Sequence, residues 1–155
     1  MMCILIPIVI GIVFHVKAPD DPTKLFLLGW ITVALVSLFK CDVPSAIKRE
    51  IVEIADFARR SDPLLAIARI FQHNILILIL SALLGKGYYG FAVSYTALVG
   101  SSLSRGYPLN VVLGAHTLLE LYAYALATTR RKPDLVKSVL YLLVAAAFEV
   151  TAIRF

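Results

Sequence analysis

Charged residues and long polar segments are scarce in this chain of 155 residues. Only 16% of the residues are Asp, Glu, Lys or Arg, 60% are hydrophobic, and the mean hydropathy is +0.87. An ordinary soluble domain is nearer a quarter charged and half apolar. The longest polar stretch covers only residues 40–63, which leaves no room for a separate soluble domain. These absences exclude an ordinary soluble protein and predict a multi-pass protein of the cell membrane.

Cysteine is also scarce, since Cys3 and Cys41 are the only two. If residues 2–16 and 25–39 form an antiparallel hairpin, both thiols lie near one membrane face and a disulfide is geometrically feasible. No spacing demands pairing, so two free thiols are the favoured interpretation. The N-terminus lacks the basic region and the cleavage site of a secretory signal, so we expect this segment to be retained.

Signatures of enzymes and of nucleic-acid binding are missing from the sequence. It has no H-E-x-x-H, no G-x-S-x-G, no phosphate-binding loop and no closely spaced Cys/His set. The net charge is +5, but the Lys and Arg residues lie between apolar runs. That placement is typical of membrane topology and of contact with anionic lipid. We therefore expect no nucleic-acid partner, no cofactor, no metal and no enzymatic activity.

Six apolar runs divide the chain, at residues 2–16, 25–39, 63–85, 88–104, 108–128 and 135–153. A straight helix needs about 20 residues to cross the hydrocarbon core, so the first two runs are short. The sequence predicts an all-α, polytopic transmembrane bundle of about six segments in one domain, 1–155. Within it, we expect an N-terminal helical hairpin over 1–42 and a membrane core over 63–155. Lys and Arg divide almost evenly between the two sides of such a bundle, so the orientation stays open.

An amphipathic helix is predicted between the second and third runs, over residues 44–62. Its apolar residues recur at helical spacing, with charges on the other side. Arg49/Glu53 and Asp56/Arg60 are opposite charges four apart, which support a helix weakly. Mixed charge suits a helix at the headgroups. A solvated connector is favoured over a docking face for a partner.

The fourth run contains several Gly, Ser and Thr residues, which let helix backbones approach closely. We interpret it as the interior helix of the bundle. A broken or re-entrant helix is the alternative, because irregular backbone is tolerated inside protein. Before the third run, Ser61-Asp62-Pro63 predicts a helix start with Pro at the first helical position.

Few ionisable residues lie inside the presumed membrane segments: His116, Glu120 and Glu149, with His73 near an edge. His116 and Glu120 are four apart and so share one helix face. An isolated charge in hydrocarbon is unfavourable, so such a group becomes neutral or finds a partner. The sequence therefore predicts that these groups contact other polar groups inside the bundle.

Three interpretations of these groups stay open. In the favoured one, they form hydrogen bonds within the bundle, toward the Ser- and Gly-rich fourth run. In the second, His116 and Glu120 take up and release protons along an ion path. In the third and most remote, His116, Glu120 and His73 hold a metal ion. Glu149 lies toward the end of its segment, where it can reach the headgroups.

Four stretches in a fixed order carry a resemblance over about residues 68–153. They are FQHNILILILSALLGKGYYG, VSYTALVGSSLSRG, LGAHTLLELYAYALA and VAAAFEVTAI. This order resembles the stage II sporulation protein M family of bacteria and archaea. That family has an asparagine that opens an apolar helix, a glycine-bearing helix, a Pro-His-Gly-x-x-Glu-like helix and a late glutamate in a terminal helix. The corresponding positions here are Asn74, Gly100, His116, Glu120 and Glu149, with His73 and Ser101 as accessory candidates.

The sequence departs from the family pattern in the central helix. Ala115 stands where the family often has proline, and Thr117 where it often has glycine. An Asn-Gly pair common in the small-residue helix is replaced near Thr96-Ala97. The kink that a Pro-Gly frame gives is therefore not expected from this sequence.

The resemblance implies a scaffold or subunit of a membrane complex, as in the cell-wall-remodelling assembly of engulfing spore formers. The short chain, rich in Ile, Leu, Val and Ala, hints at an archaeal member. A polar cluster of Asn74, His116, Glu120 and Glu149 is expected, with the lipid bilayer and a homo-oligomer or other membrane proteins as partners. A small transporter or channel-like protein is the alternative, and an intramembrane metal enzyme is a remote one.

Overall fold

The computed structural model describes residues 2–38, 45–103 and 114–154, and this part of the chain is almost wholly helical. It contains seven helices: α1 (Met2–Lys17), α2 (Pro22–Val36), α3 (Ser45–Arg60), α4 (Pro63–Leu84), α5 (Lys86–Leu103), α6 (Ala115–Ala127) and α7 (Lys132–Arg154). The described ranges hold no strand, so the all-α prediction is confirmed. Cys41 lies outside the described residues, so the structure does not test the pairing of Cys41 with Cys3.

Aspartate side chains cap the N-termini of two helices, α4 and α2. Asp62 caps α4, because its side chain accepts a 2.8 Å hydrogen bond from the Leu64 N–H, and Pro63 follows at the first helical position. The predicted helix start is therefore confirmed. Asp21 caps α2 in the same way, accepting a 2.9 Å bond from the Lys24 N–H.

The predicted amphipathic helix is present as α3 and packs against α4 and α7. The Arg49–Glu53 pair forms with N and O 3.5 Å apart, as predicted. Asp56, however, pairs with Arg59 at 3.3 Å instead of with Arg60. Residues three apart are also neighbours on a helix, so the pattern alone did not decide between the two arginines.

The ends of α3 and α7 are joined by one arginine. The Arg154 guanidinium donates to the carbonyl oxygen of Ala58 at 3.0 Å and also to that of Ser61. These carbonyls close α3, where a helix leaves backbone acceptors without partners. These hydrogen bonds attach the C-terminal end of α3 to the C-terminal end of α7.

Helix α5 has packing partners on several sides, as expected of an interior helix. It contacts α1, α2, α4 and α6, and Tyr89, Val93 and Ala97 on it are buried. It runs unbroken from Lys86 to Leu103, so no break lies within these residues.

Glycines permit the close approach of α1 and α5. A Cβ placed on Gly11 would lie 3.0 Å from the Gly87 carbonyl oxygen. A Cβ placed on Gly90 would lie 2.4 Å from Cγ of Phe14. Small residues at these positions let the backbones meet, as in helix pairs packed within membranes. Helices α1 and α2, the two helices of the predicted N-terminal hairpin, each pack against α5.

Two of the described helices, α4 and α7, are long and apolar enough to cross a membrane, with 22 and 23 residues. Helices α1 and α2 are apolar but shorter, with 16 and 15 residues. Large hydrophobic side chains are exposed along all four of these helices. So many exposed large apolar side chains on four helices, together with two helices of spanning length, indicate a membrane-associated helical bundle.

Candidate functional site

Asn74 is one of two polar residues on the otherwise apolar buried face of α4. The buried residues of this helix are Ala66, Ile70, Asn74, Leu78 and Ser81, which recur at helical spacing. Asn74 itself is only 7% exposed. A buried amide without a partner is unfavourable, so its hydrogen bonds decide whether this position is tolerated.

The partner of Asn74 is Glu120 on α6. The Asn74 Nδ2 amide donates to Oε1 of Glu120 across 2.5 Å. The two residues are 46 positions apart in the chain, so this bond joins two helices that are not consecutive. It gives the Glu120 carboxyl the polar contact that an acid inside an apolar bundle requires.

Glu149 brings a third helix, α7, to the same place. Its carboxyl is close enough to Glu120 for the two to repel each other when both are ionised. Its side chain is partly buried, and it forms no hydrogen bond with any residue that the structure describes. The arrangement therefore places two carboxyl groups together while only one of them has an amide donor.

Tyr124 belongs to this group although the sequence analysis did not select it. It is 6% exposed and interacts electrostatically with both Glu120 and Glu149. It lies four residues after Glu120 on α6, so the helical spacing that links His116 to Glu120 also reaches it. From here on, the polar cluster means the set found in the structure: Asn74, Glu120, Tyr124 and Glu149.

His116 does not pair with Glu120. It is partly buried in the first turn of α6, and its ring forms neither a hydrogen bond nor an ion pair within the described ranges. His73 is exposed and points toward α3, with Nδ1 3.9 Å from Oε1 of Glu50. The structure therefore does not join these two histidines to the polar cluster.

Gly100 and Ser101 belong to the last part of α5, and their surroundings lie outside the described residues. In the described part of the chain, no group of three His, Cys, Asp or Glu side chains is arranged to hold a metal ion. The polar cluster offers an amide, a phenol and two carboxyls. Such groups can bridge helices by hydrogen bonds or exchange protons.

Comparisons with protein-family models, with curated proteins and with solved structures give no match. The resemblance to the stage II sporulation protein M family therefore depends on the sequence stretches alone.

Proposed function

We propose that this chain is a multi-pass membrane protein that serves as a scaffold or subunit of a membrane complex. The observation that carries the proposal is the Asn74–Glu120 hydrogen bond, which commits the buried Asn74 amide and the partly buried Glu120 carboxyl to a contact between helices. A catalytic acid needs access to a substrate, whereas this carboxyl is turned toward a neighbouring helix. Its effect is to fix α4 against α6.

Six helices would cross or enter the bilayer in alternating directions, namely α1, α2, α4, α5, α6 and α7. The exposed apolar side chains of α1, α2, α4 and α7 support contact with lipid or with other membrane proteins. The mixed charges on α3 support a location at the headgroups. We also propose that the chain is an archaeal member of the stage II sporulation protein M family. A scaffold role agrees with that resemblance.

A small transporter or channel is the second proposal, and one specific observation favours it. Glu149 is beside Glu120 and has no hydrogen-bond donor in the described residues. Two adjacent carboxyls, only one of them held by an amide, are suited to accepting and releasing a proton inside a membrane.

Flux measurements on purified protein in liposomes separate the two proposals. A scaffold should leave proton and ion permeability unchanged, both in the wild type and in Glu120→Gln. Glu53→Gln is the matched control, because Glu53 is an exposed glutamate on α3. A flux that Glu120→Gln abolishes and Glu53→Gln retains would overturn the scaffold proposal in favour of transport.

A further inference from the structure

A polar cavity of about 600 Å³ lies at one end of the bundle, opposite to α3. It is a half-open cleft where three connections meet, namely the α1–α2, α4–α5 and α6–α7 loops. Its size is in the range of small-molecule sites. Three basic and three acidic side chains line it: Lys86, Arg130, Arg131, Asp20, Asp21 and Asp134.

Lys86 holds the first wall of this cavity in place. Its ammonium group donates to the Ala18 carbonyl oxygen at 2.8 Å and to Oδ1 of Asp20 at 2.7 Å. Both acceptors lie in the α1–α2 loop, so the side chain fastens that loop to the start of α5. This wall is therefore fixed before any ligand arrives.

Arg130 holds the second wall. Its Nε and Nη2 donate to the carbonyl oxygens of Ala82 and Leu83, each at 2.8 Å. These acceptors end α4, and Gly85 follows with a φ of 74°, which glycine adopts without strain. The α6–α7 loop is thereby fastened to the end of α4.

The remaining groups of the cavity are available to a ligand. The Arg131 guanidinium has no side-chain partner among the residues that the structure describes. Asp21 uses one carboxylate oxygen to cap α2, and Asp134 uses one to accept from the Thr129 hydroxyl at 2.8 Å. Each therefore retains a second oxygen that can accept a hydrogen bond.

We propose that this cavity binds a group that carries a phosphate beside a primary ammonium, as phosphoethanolamine does. The guanidinium of Arg131 matches phosphate geometry, and the free oxygens of Asp21 and Asp134 suit an ammonium. A purely anionic ligand would face three carboxylates, and a purely cationic one would face three basic groups.

The position of the cavity indicates where such a ligand comes from. It lies beside the end of α4 at Leu84 and near the start of α7 at Lys132, which are the ends of the two candidate membrane spans. Leu84 lines the cavity and is 57% exposed, so an acyl chain can continue along it. The headgroup of a zwitterionic lipid and free phosphoethanolamine share the required chemistry.

Titration of the purified protein in detergent with short-chain lipids tests the proposal. Phosphatidylethanolamine, phosphatidylcholine and phosphatidylglycerol with identical chains are compared with soluble phosphoethanolamine. We expect phosphatidylethanolamine to bind roughly tenfold more tightly than the other two lipids. Additional binding of phosphoethanolamine would show that the free group suffices, and its failure to bind would identify the lipid as the source. Equal affinity for all three lipids, with no binding of phosphoethanolamine, would overturn the proposal.

Two substitutions test the groups assigned to the ligand. Arg131→Gln should weaken phosphatidylethanolamine binding roughly tenfold without changing the unfolding of the lipid-free protein. Lys132→Gln is the matched control, because this neighbouring cation does not line the cavity. Asp21→Asn keeps a good helix cap and should reduce the preference for phosphatidylethanolamine over phosphatidylglycerol. Equal weakening by Lys132→Gln and Arg131→Gln would mean general surface attraction and would contradict the assignment.

Discussion

Replacing Asn74 by leucine should measure how strongly the polar cluster holds α4 against α6. The change keeps a side chain of similar size but removes the amide that donates to Glu120 at 2.5 Å. Because Asn74 is 7% exposed, water cannot readily replace the lost donor. Leaving a buried polar group without a partner costs about 1–3 kcal/mol. Hydrogen bonds between helices within membranes average only about 0.6 kcal/mol and reach about 1.7 kcal/mol. We expect Asn74→Leu to lower the free energy of unfolding by about 1–2 kcal/mol.

A double-mutant cycle isolates the contribution of the bond itself. Glu120→Leu alone leaves the Asn74 amide without its acceptor, so the double variant should be more stable than the sum of the two losses implies. The expected coupling energy is about 0.6–1.7 kcal/mol. It is measured by reversible unfolding of the four proteins in mixed micelles, followed by circular dichroism.

The control cycle pairs Asn74→Leu with His116→Leu, since the structure shows no bond between these two side chains. That cycle should be additive to within about 0.5 kcal/mol. If the Asn74/Glu120 cycle is equally additive, the hydrogen bond does not stabilise the bundle and the reasoning behind the scaffold proposal fails.

Three further substitutions test the packing and the capping. Tyr89→Phe should raise the free energy of unfolding by about 1 kcal/mol, because the Tyr89 hydroxyl is buried without a partner among the described residues. A lower thermal unfolding temperature for this variant would contradict the expectation. Gly90→Ala should lower stability by about 1–3 kcal/mol, because its Cβ would lie 2.4 Å from Cγ of Phe14, and Phe14→Leu in the same protein should recover part of the loss. Asp62→Ala should lower stability by about 1 kcal/mol through loss of the α4 cap, whereas Asp62→Ser should be nearly neutral in the same measurement.

The features that the sequence predicted well are those decided by neighbouring residues. Asp62-Pro63 begins a helix because a cap and a fixed φ act within one turn. The helical spacing of apolar residues, with charged residues on the opposite face, predicted α3, and this pattern also depends only on residues within a few turns of one another. The glycines of α5 predicted close packing, and the contacts at Gly87 and Gly90 show it. The partner helix was not predictable, because a stripe of small residues does not identify what lies against it.

The features that depend on distant parts of the chain were not recoverable from spacing. His116 and Glu120 share a helix face, yet the hydrogen bond of Glu120 goes to Asn74, 46 positions away. Sequence spacing predicts which side chains are neighbours within one helix. The way that helix is rotated and packed against another helix decides which residues its side chains contact. Asp56 illustrates the same limit at short range, since Arg59 and Arg60 were both within reach.

The burial of α6 explains how its polar residues are compatible with a membrane bundle. This helix has 13 residues, and Leu121 and the run from Ala123 to Ala127 are buried. It packs against α2, α4, α5 and α7, and the large exposed apolar side chains belong to other helices. Glu120 therefore faces protein, where an amide donor can be supplied, and avoids the hydrocarbon where it would stand alone. The hydropathy of residues 114–129 resembles that of a lipid-facing span, but its acid is tolerated because the other helices surround it.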